Sequence, residues 1–210
     1  MTDTPHQNAD TKRRFNEVVD GLVAKNARYA AAYTDPGMSA RPVQRVAIVT
    51  CMDARLDIHE LLGLELGDIH IIRNAGGVVT DDVIRSLTIS QRHLGTQAVV
   101  LIHHTGCGML TVTEDFRREL ELDTGIRPSW AVEAFADLDG DVRQSMNRVR
   151  TSPFLLCADN VRGFVYDVQT GLLREVPAVA EAPDGTPNLL ADTPDVVTGG
   201  MQPKRAGTDS

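Results

Sequence analysis

Three short apolar runs constrain the fold more than anything else in the chain. Residues 45–50 (R-V-A-I-V-T), 68–73 (D-I-H-I-I-R) and 97–102 (Q-A-V-V-L-I) are rich in β-branched residues, and helix-length segments separate them. Near-continuous apolar runs of this length suit strands covered on both faces, as in a parallel sheet. Between the first two, 56–62 reads as a short helix with Asp57 as its N-cap. Between the second and third, Thr80 can cap a helix over 81 to about 94. Asp81 and Asp82 sit in its first turn and Val83, Ile84, Leu87 and Leu94 form its buried stripe. Strand, helix, strand, helix, strand predicts an α/β fold: a central, largely parallel β-sheet flanked by helices, with right-handed crossovers.

Further along, 113–122 reads as a charged helix, and 130–150 as helical material interrupted around 137–140. Residues 161–168 (V-R-G-F-V-Y-D-V) alternate as a strand, and 172–176 follow a turn as a short return strand. At the other end, Phe15, Val18, Val19, Leu22, Val23, Tyr29, Ala30 and Tyr33 recur at helical spacing over 11–33. Pro36, Gly37, Ser39 and Pro42 then mark a linker. This amphipathic N-terminal arm must bury its stripe, on a partner subunit or on its own domain, and the pattern itself favours neither. The expected organisation is a disordered leader over 1–10, arm and linker over 11–40, an α/β domain over 41–176, and a disordered tail over 177–210.

Bulk properties exclude some partners. A net charge of −8 over 210 residues argues against non-specific binding to nucleic acid or an anionic membrane. No apolar run approaches the ~20 residues of a membrane span. The polar N-terminus lacks an apolar signal core, and 3 cysteines cannot all pair, so a reducing cytoplasm is expected.

Chemistry concentrates where the strands end. The third run continues as His103-His104-Thr105-Gly106-Cys107, and Cys51 directly follows the first. With 6 His and 3 Cys, chance gives about 0.1 H-x-x-C pairs, so the pair gains weight only from a third ligand. Carboxyl ends of parallel strands are where such sheets bind ligands. If the first and third strands are neighbours, Cys51, His104 and Cys107 converge on one ion. Zinc suits two thiolates and an imidazole, and three protein ligands leave a fourth position open for catalysis. Otherwise Cys51 is a small buried residue ending a strand. Asp53 and Arg55 lie two and four residues past Cys51 and can form a bidentate pair facing the metal. Such an ionised carboxylate can accept a hydrogen bond from a zinc-bound hydroxide and orient it; away from a metal the pair merely pins the loop. Asn74-Ala75-Gly76-Gly77 either cradles an anion or makes a turn. Cys157 reads as a plain core thiol, His103 should face the opposite side of the sheet from His104, and His59, His70 and His93 read as ordinary.

These residues resemble a β-class carbonic anhydrase. The likeness rests on Cys51-Met52-Asp53-Ala54-Arg55, Arg73-Asn74-Ala75-Gly76-Gly77 and His104-Thr105-Gly106-Cys107-Gly108, and spans about 41–176. It implies Cys51, His104 and Cys107 as zinc ligands, with Asp53 and Arg55 as a catalytic dyad. Asp53 would become a fourth ligand only in a closed, inactive state. It also implies reversible hydration of CO₂ to bicarbonate and a proton, in a homodimer or higher homo-oligomer whose N-terminal helix lies on the partner. Plant-type members carry a substrate-facing Gln before the first ligand strand. Here that region reads Ser39-Ala40-Arg41-Pro42, with Gln44 the nearest glutamine. The chain is more similar to a short, minimal subgroup that also contains carbonyl sulfide hydrolases. Carbonyl sulfide hydrolysis and a non-catalytic zinc-binding module are therefore the competing expectations.

Overall fold

The computed structural model of the chain describes residues 5–34 and 36–179. The chain divides into two compact units, 1–39 and 40–210. The first unit is one helix, α1 (Pro5–Ala32). The helix starts at Pro5, within the segment expected as a leader, where proline's fixed φ suits a first helical turn. Phe15, Val18, Leu22, Val23 and Tyr29 on α1 are all exposed. Residues 1–4 and most of the expected tail, 180–210, lie outside the described residues.

The second unit is a five-stranded sheet in the order β2-β1-β3-β4-β5. Its strands are β1 (Val46–Cys51), β2 (His70–Asn74), β3 (Ala98–His104), β4 (Val161–Tyr166) and β5 (Leu173–Val176). The first four run parallel and β5 returns antiparallel along β4. Among the described residues, α2 (Ile58–Leu62), α3 (Asp81–Arg92), α4 (Phe116–Thr124) and α5 (Leu138–Arg150) accompany the sheet, with a single 3₁₀ turn at Gly108–Leu110. The α/β architecture is the one that the apolar runs predict.

Strand alternation divides the core between two faces. Ala47, Val49, Val99, Leu101, Val161 and Val165 join Val83 and Leu87 of α3 and Val142, Met146 and Val149 of α5. Ile48 and Ile102 join Leu56 and Ile58 on the other face, with Cys51 and Cys107 in the same cluster. The caps of α2 and α3 are as expected: Asp57 accepts from the Glu60 N–H and Thr80 from the Val83 N–H.

Several boundaries differ from expectation, each for a local reason. β1 and β3 run one and two residues further than expected, so Cys51 and His104 close their strands instead of opening the loops. Neighbouring strands pair with them up to those points: Cys51 faces Asn74 and His104 faces Tyr166. The helix expected from 130 starts only at Leu138. Asp137 is extended and its carboxylate caps the Asp139 N–H, which fixes the start there. α4 begins at Phe116, later than expected, and ends on left-handed Gly125. Among the described residues, no helix is long and apolar enough to cross a membrane.

Candidate metal centre

β1 and β3 are hydrogen-bonded neighbours, with Thr50 opposite Ile102. The Thr50 hydroxyl also donates to the Ile102 carbonyl at 2.8 Å, which fastens the two strand ends together. This adjacency brings Cys51 at the end of β1 to His104 at the end of β3. The loop after β3 turns at Gly106, whose φ of 63° lies in the left-handed region. Cys107 thereby folds back, and its Sγ lies 3.9 Å from Cys51 Sγ.

The three donor atoms of Cys51, His104 and Cys107 all lie within 4.8 Å of one another, and all three residues are buried. A tetrahedral ion with metal–sulfur bonds of ~2.3 Å needs its sulfurs about 3.8 Å apart, so the sulfur pair already stands at the right spacing. The histidine is prepared as well. Its Nδ1 lies 3.0 Å from the Thr105 carbonyl oxygen. A carbonyl only accepts, so Nδ1 carries the proton and Nε2 presents a lone pair. That Nε2 is buried and has no hydrogen-bond partner among the described residues. An orphaned imidazole nitrogen beside two thiols fits a metal ion, and the donor set fits zinc. His103, one residue earlier, points to the other face as expected, with Nε2 2.6 Å from an Asp141 carboxylate oxygen on α5.

Asp53 and Arg55 form the expected fork. Arg55 Nε donates to Asp53 Oδ1 at 2.9 Å and Nη2 to Oδ2 at 2.7 Å, while the Arg55 main-chain N–H adds 2.9 Å to Oδ1. Arg55 Nη2 also donates to the Gly106 carbonyl at 3.1 Å, so one guanidinium ties the dyad to the loop that carries Cys107. Asp53 Oδ2 lies 3.8 Å from His104 Nε2, which places the carboxylate beside the donor cluster.

The electrostatics follow from burial and pairing. Hydrogen bonds from the Arg55 side chain and main chain hold the Asp53 carboxyl well below the usual carboxylate range. Burial pushes the Cys107 thiol up to about 11, and neighbouring Cys51 adds to the rise. Burial also lowers His104 and so favours its neutral, ligating form. A divalent cation would reverse the penalty on the thiols.

The loop after β2 makes a tight turn, with Gly76 and Gly77 both at positive φ. A Cβ on Gly77, at φ +75°, would stand 2.9 Å from Cys51 N and from Thr50 C. The glycine is there because the loop passes directly against the main chain at the end of β1. Arg73 donates from Nε to the Cys51 carbonyl at 2.9 Å, a contact invisible in sequence because it requires knowing that β2 neighbours β1. Gln44 is remote from the centre: it precedes β1 at the strand's amino end and donates to Asp68 at 3.1 Å. The other singled-out residues stay outside the cluster. The His70 ring bonds Ser90 and the Ala40 carbonyl, and Cys157 is a half-buried free thiol.

Comparison with known proteins agrees with this geometry. A family model described as carbonic anhydrase matches residues 46–136, which contain all five residues of the centre. The chain is 52% identical over 160 residues to β-carbonic anhydrase 1 of Mycobacterium tuberculosis, covering 76% of this chain and 98% of that protein. It is 31% identical to a carbon disulfide hydrolase of Acidithiobacillus thiooxidans, over 62% of this chain and 76% of that one. A carbonic anhydrase structure from Streptococcus mutans superposes with a TM-score of 0.70 at 42% identity, covering 76% of this chain and 97% of the other. A metal-ready Cys-His-Cys cluster at neighbouring strand ends, an adjoining Asp–Arg fork, and a relative identical at half its aligned positions place this chain in the β-carbonic anhydrase family.

Proposed function

We propose that the protein catalyses the reversible hydration of CO₂ to bicarbonate and a proton, with zinc held by Cys51, His104 and Cys107 and with Asp53 and Arg55 as the catalytic dyad. The observation that carries this reading is the pairing of an unpartnered, buried His104 Nε2 with two thiols at 3.9 Å, beside a carboxylate locked by an arginine. Zinc in such a site supplies Lewis acidity that ionises water near neutral pH, at a pKa of about 7 in the carbonic anhydrases that serve as the general example.

The chain's own residues supply the rest. Asp53 stays ionised across the working pH range, because Arg55 holds its carboxyl low. An ionised carboxylate can only accept, so Asp53 takes the O–H of the attacking oxygen and leaves that oxygen's lone pair for the carbon of CO₂. Arg55 fixes the carboxylate through two parallel hydrogen bonds and anchors it to Gly106. One C–O bond forms as one C=O π bond of CO₂ opens and its electron pair moves to oxygen, bicarbonate departs, and the proton given up by water passes to buffer. Were the Asp53–Arg55 pair to break, Asp53 would be free to join Cys51, His104 and Cys107 in holding the ion, and the site would be closed. A pH series of structures in which Asp53 never meets the metal would refute that closed state.

Stopped-flow CO₂ hydration with parallel zinc determination tests the reaction. Asp53→Ala and Arg55→Ala should retain zinc and each lose on the order of 10²-fold or more in kcat. Full activity in both would remove the dyad from the mechanism. The 31% identity to a carbon disulfide hydrolase supports a second reading, hydrolysis of a carbon–sulfur compound at the same centre, with carbonyl sulfide the candidate that the sequence resemblance implies. Assay of both substrates side by side distinguishes the two. About one zinc per chain without hydration between about pH 6 and pH 9, a range bracketing the expected water pKa, would favour a non-catalytic module.

Free thiols at all three cysteines support a reducing cytoplasm as the place of action. The exposed apolar stripe of α1 supports a homodimer in which the arm covers the partner subunit.

A further inference from the structure

β1 ends at Cys51, so strand pairing reaches no further toward Asp53. The three consecutive residues 51–53 are nevertheless held from one neighbouring strand. Arg73, the fourth residue of β2, donates from Nε to the Cys51 carbonyl at 2.9 Å and from Nη2 to the Asp53 carbonyl at 2.6 Å. Between these bonds, the Met52 N–H donates to the Asn74 carbonyl at 2.8 Å. The Asp53 carbonyl also accepts from the Leu56 N–H at 3.2 Å, but that bond closes the turn on itself and ties it to nothing outside.

We propose that Arg73 is a positioning residue for the proposed reaction: its guanidinium clamps the main chain on both sides of Met52, so that the Cys51 thiol and the Asp53 carboxylate keep one fixed spacing. Arg73 supplies no metal ligand, and its side-chain hydrogen bonds go to main-chain carbonyls, not to the Asp53 carboxylate. It therefore acts through Cys51 and Asp53. The planar fork presents several N–H donors in fixed directions, which suits two carbonyls two residues apart, whereas a lysine ammonium lacks that fixed geometry. Arg55 holds the carboxylate end of Asp53 and Arg73 its main-chain end. Fixing only one end would leave the carboxylate free to pivot.

The inference rests on Asp53 acting in catalysis, and the test separates the two ideas. Arg73→Met and Arg73→Lys are made in the full chain, alone and combined with Asp53→Asn, and loaded with zinc or cobalt(II). Removing a partner one step behind the ligands typically costs 10–100-fold. Arg73→Met should retain about one metal per chain and lose on the order of 10-fold or more in kcat, with KM little changed. Arg73→Lys should recover part of that loss. In the Asp53→Asn background, Arg73→Met should cost less than about 3-fold, because the catalytic carboxylate it positions is already gone and only its hold on Cys51 remains. The thiolate-to-cobalt absorption bands should shift in Arg73→Met, since Cys51 loses its clamp.

Wild-type kcat per metal together with a wild-type cobalt spectrum would overturn the proposal. An equal loss in both backgrounds would also overturn it, because Arg73 would then act independently of Asp53. If Arg73→Met does not fold, Arg73→Lys decides alone, through the same kcat and the same bands. Failure of the hydration reading looks different: a zinc-loaded wild type without hydration, or full activity in Asp53→Asn. The cobalt spectrum still reports the hold of Arg73 on Cys51 in either case.

Discussion

Cys107 shows what burial does to a candidate metal-binding thiol. Burial pushes its thiol up to about 11, which favours the protonated form at neutral pH. The sign follows directly: a ligand whose pKa is raised must lose its proton to bind, so zinc loading at pH 7–8 should release protons and zinc affinity should rise with pH. Calorimetry in buffers of different ionisation enthalpy should read on the order of one proton or more per zinc, and none released would contradict the burial argument. Gly77 makes the second residue-scale case. Alanine there would meet main chain at 2.9 Å while forced to φ +75°. Gly77→Ala should cost about 2–4 kcal/mol in denaturant unfolding, from left-handed strain plus overpacking. It should also weaken zinc binding, since the displaced main chain is that of Cys51. Both residues stand out in the sequence, one in an H-x-x-C pair and one in a glycine doublet, yet only the cysteine announces a candidate role. The glycine's role depends on which strand passes beside it.

Elements meet at two contacts that decide how well the sheet holds its helices. Gly163 on β4 lies directly under α5: an added Cβ would collide with Val142 and come within 3.1 Å of Met146 Sδ. Gly163→Ala should therefore destabilise by about 1–3 kcal/mol and lower the denaturant midpoint without changing the m-value. At the start of α5, Arg174 of β5 grips Asp139 with bonds of 2.9 and 2.6 Å. The hydrogen bond from Arg174 lowers the Asp139 carboxyl below its ordinary 3.8. A carboxyl lowered on folding stabilises above its unfolded pKa and loses that contribution as pH falls through the lower folded value. The pair is partly exposed, so Asp139→Asn should cost only about 0.5–1 kcal/mol at pH 7. The gap between variant and wild type should close as the pH drops below that ordinary value. A gap constant from neutral to acid pH would show that the pair contributes nothing through charge. The helix starts here were partly legible: Asp57 and Thr80 announce α2 and α3 through capping chemistry. The segment before α5 was not, because 130–137 has helix-compatible composition and Asp137 ends the ambiguity only by capping Asp139.

At the scale of the whole molecule, α1 carries an apolar stripe that a single helix cannot bury by itself. Phe15 is 64% exposed, Val18 63% and Leu22 57%, a stripe of apolar surface that water disfavours. Removing residues 1–34 should shift sedimentation from a dimer or larger assembly toward the monomer and expose a complementary apolar surface. An unchanged assembly would refute the arm's role. The sequence by itself determined the α/β class, because uninterrupted β-branched runs can only be satisfied by burial on both faces. It also determined which side chains could ligate, because sulfur and imidazole are rare enough here for their spacing to be informative. It could not determine that β1 lies between β2 and β3, since strand order is a choice among long-range pairings with similar local sequence. That order alone brings Cys51 to His104 and Cys107, and sets Arg73 and Gly77 against the main chain of Cys51. Local chemistry is written along the chain; the meeting of distant residues belongs to the packing of the sheet.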